Sequence, residues 1–123
     1  MTKVKANADQ LIATILDGIE DVKGQNTNIL DLREIENTVC DYFIICEGTS
    51  NTQVNAIVNS IHKKVSKEIK DKPWHIEGQD NAEWVLMDYV NVVVHVFQKH
   101  IREYYDIESL WGDAVTTEIK SSY

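Results

Sequence analysis

Gly48-Thr49-Ser50 follows the apolar run Tyr42-Phe43-Ile44-Ile45-Cys46 and precedes a stretch with helical apolar spacing. A glycine turn of this kind brings free backbone N–H groups and the positive end of a helix dipole together, which is the chemistry of an anion or phosphate site. An enzyme that transfers nucleotidyl groups from such a turn also needs two acids close by, to hold magnesium against the triphosphate. Here the chain continues Asn51-Thr52-Gln53-Val54-Asn55-Ala56, and the next acid is Glu68. The junction therefore reads first as helix capping, with Ser50 or Asn51 as the cap. Among the four histidines, His62 lies in a lysine-rich helical stretch, and His75 and His100 have no suitably spaced carboxylate or thiol. His95 alternates between Val94 and Val96, so it faces away from those valines as a satisfied or contact-face histidine. Cys40 and Cys46 fit neither a disulfide framework nor a zinc knuckle, and no nucleophilic triad can be assembled.

The elements that position these residues follow from periodicity. The 123-residue chain, 43% apolar and 26% charged, is ordinary for one globular domain. Leu11, Ile12, Ile15, Leu16, Ile19 and Val22 form one helical stripe, stopped by Gly24. A short strand is predicted from Ile29 to Arg33, with Leu30 and Leu32 inward, and a turn region from Glu34 to Asp41. Tyr42 to Cys46 reads as a strand covered on both faces. Val54, Ile57, Val58, Ile61, Val65 and Ile69 mark a second helix that ends before Pro73. Trp74 to Ile76 reads as a short strand, and 82–89 with 91–97 as an antiparallel hairpin. One or two helical turns follow up to Trp111. Residues 1–112 are thus expected to form one α/β domain with a mixed five-stranded sheet and flanking helices, and 113–123 a polar, disordered tail.

The net charge of −8 is uneven: residues 1–40 carry −3, residues 41–73 carry +1 and residues 74–123 carry −6. Such a chain as a whole repels nucleic acid, and its acidic last third suits a basic protein surface or simply serves solubility. Lys63, Lys64, Lys67, Lys70 and Lys72 make the second helix basic on its outer side, most simply as a solvated face. In the hairpin, Trp84, Leu86 and Asp88 share one strand face, while Val85, Met87 and Tyr89 share the other. If the helices pack on one side of the sheet, Trp84 either packs in the core against them or stands on the other face as an exposed anchor of the kind that dominates interfaces.

Several motifs in order resemble the ribosomal silencing factor family, also called Iojap-like proteins. They are Asp41 to Ser50, Ile76-Glu77-Gly78, Glu83 to Tyr89, Val92 to Phe97, and the closing stretch Arg102 to Trp111. The resemblance runs from about Leu11 to Trp111. It implies a nucleotidyltransferase-like fold without that catalysis or its cofactors and metals. It also implies a translational repressor that binds the large ribosomal subunit through its protein number fourteen and blocks joining of the small subunit. On this resemblance the partner-binding residues are Glu77, Trp84, Leu86, Asp88, His95, Tyr104 and Tyr105. Trp84 would be the anchor and Asp88 its polar neighbour. An acidic patch of Glu77, Glu83, Asp88, Glu103 and Asp106 would steer docking.

Two departures stand out. The hairpin turn holds Val90-Asn91 in place of glycine and aspartate, and β-branched valine does not suit a left-handed conformation. After Ser50 the chain has Thr52 and Gln53 where the family often carries arginine and histidine, so little or no direct RNA contact is expected there. The expected compartment is the cytoplasm: no apolar run approaches the ~20 residues of a membrane span, and the N-terminus lacks the marks of a targeting signal. The rival readings are a phosphate-binding enzyme on the Gly48 turn and a self-associating adaptor using the aromatic face, including a homodimer when free.

Overall fold

The computed structural model describes residues 8–38, 40–121 and 123. The chain runs α1 (Ala8–Asp21), β1 (Gln25–Asp31), β2 (Tyr42–Gly48), α2 (Asn51–Ile69), β3 (His75–Glu77), β4 (Trp84–Asp88), β5 (Val92–Gln98), α3 (Lys99–Tyr105), α4 (Ile107–Leu110) and β6 (Val115–Ile119). The strands form one sheet in the order β3-β4-β5-β2-β1-β6. Among the described residues only β2 and β5 pair in parallel, so the sheet is mixed, as expected.

Among the described residues the strand count is six, not five. The additional strand, β6, lies in the tail that was expected to be disordered and continues the sheet past residue 112. Val115-Thr116-Thr117-Glu118-Ile119 has only two apolar side chains, which is why hydropathy pointed to a frayed end. Four of its five residues are β-branched, however, and its backbone completes the hydrogen bonding of β1.

Two cores sit on opposite faces of the sheet. On one face α1 and α2 cover Ile44, Cys46, Val85, Met87, Val92, Val94 and Val96, and all of these are buried. Gly18 lets the two helices meet closely, since a Cβ there would stand 3.0 Å from Ile61 Cα. Ser60 Oγ donates to Gly18 O at 2.7 Å across the same contact. On the other face, α3, α4 and the β1–β2 connection cover Leu30, Leu32, Phe43, Ile45, Val93 and Phe97. This second layer is smaller. It leaves the β3–β4 end of the face only partly covered, with Trp84 and Leu86 half-buried.

Helix α2 begins as expected, with Ser50 as its cap: Ser50 Oγ accepts from Gln53 N at 3.1 Å. In the β4–β5 turn, Val90 adopts φ +77, the left-handed conformation that its branched side chain resists. The turn is held by Tyr89 N to Val92 O at 2.9 Å and by Val90 N to Asp88 Oδ1 at 2.7 Å. Left-handed backbone costs a residue with a Cβ roughly 1–2 kcal/mol, more than the entropy glycine brings to the unfolded chain. Val90→Gly should therefore raise stability by about 1 kcal/mol, read as a higher urea midpoint with unchanged slope; a lower midpoint would show that the turn carries no strain.

Candidate functional site

On the partly covered face, strand pairing aligns residues from distant parts of the chain into rows. Trp84 lies opposite Phe97, which lies opposite Glu47. Glu77, Leu86, His95 and Ile45 form the next row, and His75, Asp88, Val93 and Phe43 the one after. The alternation expected for β4 therefore holds: Trp84, Leu86 and Asp88 lie away from α1 and α2, while Val85, Met87 and Tyr89 are buried beneath them.

Trp84 is half-buried rather than fully exposed. Its ring stacks on Phe97 with centroids 4.9 Å apart and meets Tyr105 of α3 at 5.0 Å. Tyr105 in turn meets Tyr104 edge-on at 5.0 Å. Tyr104 is 80% exposed and Tyr105 50%, with Leu110 at 77% on α4 beyond them. The result is an aromatic shelf whose inner wall is Trp84 and whose outer lip is the tyrosine pair. Gly78 sets the near boundary: at φ +89, it lies so close to Trp84 O that an added Cβ would collide with that oxygen.

His95 is only 5% exposed, so it lies beneath the shelf and cannot form part of its rim. Its Nδ1 accepts the Trp84 indole N–H at 3.1 Å, which places the ring proton on Nε2, and that atom has no hydrogen-bond partner among the described residues. Phe43 closes the other side of the ring at 4.6 Å. Burial pushes His95 down to about 4, so the imidazole stays neutral and holds the indole in place. An unfolded histidine gains its proton near pH 6.5, so the folded state loses stability as pH falls from about 6.5 towards 4. His95→Phe should flatten that part of a stability-against-pH curve; equal slopes in wild type and variant would mean His95 carries no such penalty.

The acidic residues take different positions. Glu77 is exposed and pairs with His75 at 2.6 Å, while Asp88 spends one carboxylate oxygen on the Val90 turn. Glu83, Glu103 and Asp106 are exposed around the shelf. Asp88 is thus a rim and turn residue four positions along the strand from Trp84, not its direct hydrogen-bond partner.

The sequence reading missed the groups that fix the shelf from behind. Arg102 of α3 is buried, donating to Glu47 Oε1 at 3.1 Å, to Asn26 O at 2.6 Å, and through two nitrogens to both oxygens of Glu108 at 3.0 and 2.9 Å. Asn28 Nδ2 also donates to Glu108 at 2.6 Å. Burial works against the Arg102 charge, but Glu108 and Glu47 outweigh it, and the guanidinium holds the Glu108 carboxyl below its usual range. The signal was present: Glu47 sits in register with Phe43 and Ile45 in a strand buried on both faces, where a carboxylate demands a cation.

The Gly48 turn is filled by its own side chains. Gln53 Oε1 accepts from Thr49 N at 2.7 Å and from Thr49 Oγ1 at 3.0 Å, and its amide donates to Lys23 O at 3.1 Å. Gln53 thereby occupies an amide that a phosphate would use, and ties α2 to the α1–β1 turn. Among the described residues no three His, Cys, Asp or Glu side chains group to hold a metal, and no helix is long and apolar enough to cross a membrane. The thiols of Cys40 and Cys46 are buried, and burial raises both, to about 11 and about 12.

Residues 5–122 match the profile of the family described as ribosomal silencing factor during starvation. A ribosomal silencing factor from Halalkalibacterium halodurans is 40% identical over 111 residues, covering 90% of this chain and 93% of the relative. The crystal structure of a Chromobacterium violaceum protein superposes with a TM-score of 0.81 at 36% identity, over 87% of this chain and 88% of that one. A mouse protein named for mitochondrial assembly of the large ribosomal subunit is 36% identical over 74 residues, covering 58% of this chain and 32% of its own. The chain belongs to the ribosomal silencing factor family.

Proposed function

We propose that this protein is a cytoplasmic translational repressor that docks on the large ribosomal subunit through its protein number fourteen and sterically blocks joining of the small subunit. The observation that carries the reading is the Trp84 shelf. It is an aromatic surface whose Trp84 is held from beneath by His95 and Phe97, set in the acidic third of a −8 chain. Aromatic anchors ringed by charge are the usual energetic centre of an interface, and ribosomal proteins are commonly basic. The family carries a ribosome-associated role in translation regulation, and the mouse relative's name points to the large subunit. The mechanism asks only for affinity and bulk, so no bond is made or broken. Trp84, Leu86, Tyr104 and Tyr105 supply the contact, Glu77 and Asp88 the charged rim, and His95 the support of the anchor.

The direct test is binding to isolated large-subunit protein fourteen across a salt series. Binding with an association rate that falls as salt rises, and falls further in Glu77→Lys/Asp88→Lys, is the expected result. No binding to that protein, with retained binding to whole large subunits, would move the docking site elsewhere on the subunit.

A further inference from the structure

The chain is acidic as a whole but not everywhere. Between His62 and His75 it carries five lysines against two acids, +3, which leaves −11 on the remaining residues. Both acids are engaged: Glu68 lies beside Lys64, which also pairs with Asp21 at 2.6 Å, and Asp71 Oδ1 accepts from Lys72 N at 2.8 Å. Lys63, Lys67 and Lys72 are exposed, and among the described residues their ammonium groups form no salt bridge. The same segment ends on Trp74. Of the three tryptophans it alone is exposed, at 72%, and it belongs to neither core. Its backbone is nonetheless fixed, because Trp74 N donates to Asp88 O at 2.7 Å and Pro73 restricts the chain before it. A lone exposed apolar side chain and a lysine-rich helix end each have an ordinary explanation in solvation. Side by side they have a common one.

We propose that this end of α2 is a contact surface for unpaired RNA, in which a base stacks on Trp74 while Lys63, Lys67 and Lys72 neutralise the phosphates beside it. RNA uses both parts of the patch: a splayed-out base has a π-face for the indole, and its backbone has a charge for each ammonium. An acidic peptide would use the lysines alone and leave the indole in water. The −11 on the rest of the chain does not prevent this, since at physiological salt exposed charges act over only about 8 Å. Lys63 and Lys67 lie one turn apart on the side of α2 away from its buried stripe, and the positive charge continues from them through Lys72 to Trp74.

Through its bond to Asp88, Trp74 sits against β4 four residues from Trp84, roughly 14 Å along the strand. The patch therefore borders the aromatic shelf at the same β3–β4 edge of the sheet. On the docking proposed above, on which this identification of the RNA rests, the strand belongs to the large subunit and lies next to protein fourteen. The contact is at the opposite end of α2 from Thr52 and Gln53, where no RNA contact is expected. The shelf and the patch then contribute separately, one binding protein and the other RNA.

Fluorescence anisotropy of a labelled, unstructured oligoribonucleotide across a salt series tests this, with far-UV circular dichroism confirming that each variant is folded. Trp74→Ala should bind roughly 5- to 150-fold more weakly, the range for one stacked base, and Trp74→Tyr should keep most of the affinity. Lys63→Gln/Lys67→Gln should reduce the slope of log affinity against log salt by about 1.4, the share of two phosphates on a single strand. In a duplex the bases are already stacked, so Trp74→Ala and wild type should bind it alike. Large subunits should also bind Trp74→Ala and the double variant more weakly, whereas isolated protein fourteen should bind both as it binds wild type. Failure of wild type on protein fourteen counts against the shelf and leaves the oligoribonucleotide result standing for the patch. The proposal is overturned by wild type that does not bind the oligoribonucleotide, by Trp74→Ala that binds it unchanged, by polyglutamate of equal charge that binds as tightly, or by large subunits that bind both variants as they bind wild type.

Discussion

Truncating Trp84 to alanine should weaken association with the large ribosomal subunit by about 2–4 kcal/mol, roughly 30- to 1,000-fold in Kd. The size follows from what the indole does. It forms the inner wall of the shelf, stacks on Phe97, backs Tyr105 and is oriented by His95, so its loss removes contact and lets both neighbours relax. Because the ring is half-buried, the variant also loses stability, and its urea midpoint has to be measured beside its affinity. Trp84→Phe separates the two effects. It keeps an aromatic ring over Phe97 but loses the bond to His95, and should bind with an affinity between wild type and alanine. An alanine variant that remains folded and binds as tightly as wild type would remove Trp84 from the interface.

The largest stability effect is expected at Arg102. Replacing it with methionine leaves Glu47, whose side chain is 7% exposed, as a buried carboxylate without its cation, and strips Glu108 of both its guanidinium bonds. Removing one partner of a buried pair costs about 3–5 kcal/mol, a large part of the 5–15 kcal/mol that holds a typical domain together. The double variant Arg102→Met/Glu47→Met should recover much of that loss, because no charge is then buried alone. Urea denaturation of the three proteins checks this. A double variant no more stable than Arg102→Met would mean that the site depends on the hydrogen bonds to Asn26 and Glu108 more than on the charge pair.

Much of the fold is legible in the residues themselves. The stripe Val54 to Ile69 with Ser50 before it specifies α2 to within a residue, and the Tyr42 to Cys46 run specifies a central strand. Both signals are local, because periodicity and capping act within a few residues of one another. The strand β6 was missed because its stability comes from β1, roughly ninety residues earlier in the chain, a partner that hydropathy along one segment does not reveal. The bulge that starts β1 at Gln25, ahead of the apolar residues, is non-local in the same way.

The candidate site divides along the same line. Alternation in β4 correctly separated Trp84 from Val85, because the strand period is a local property. What Trp84 touches is decided by registers between β4, β5 and β2 and by where α3 lands, and it is these that bring Phe97, His95 and Tyr105 to it. His95 was placed on the right face, and of the two readings open for it, structural or contact-face, its burial fits the structural one. Arg102 and Glu108 stand in the motif that carried the resemblance, yet their bonds to Glu47 and Asn28 appear only once α3 folds back over the sheet.

The central claim is that the protein occupies the large subunit and keeps the small one off. Purified large subunits would be incubated with the protein and challenged with small subunits, and the mixture resolved on a sucrose gradient, with Trp84→Ala run alongside. The account predicts that wild type migrates with the large subunit and shrinks the joined-ribosome peak, while Trp84→Ala does neither. Wild type that fails to migrate with the large subunit, or that does so and leaves the joined peak intact, would contradict it.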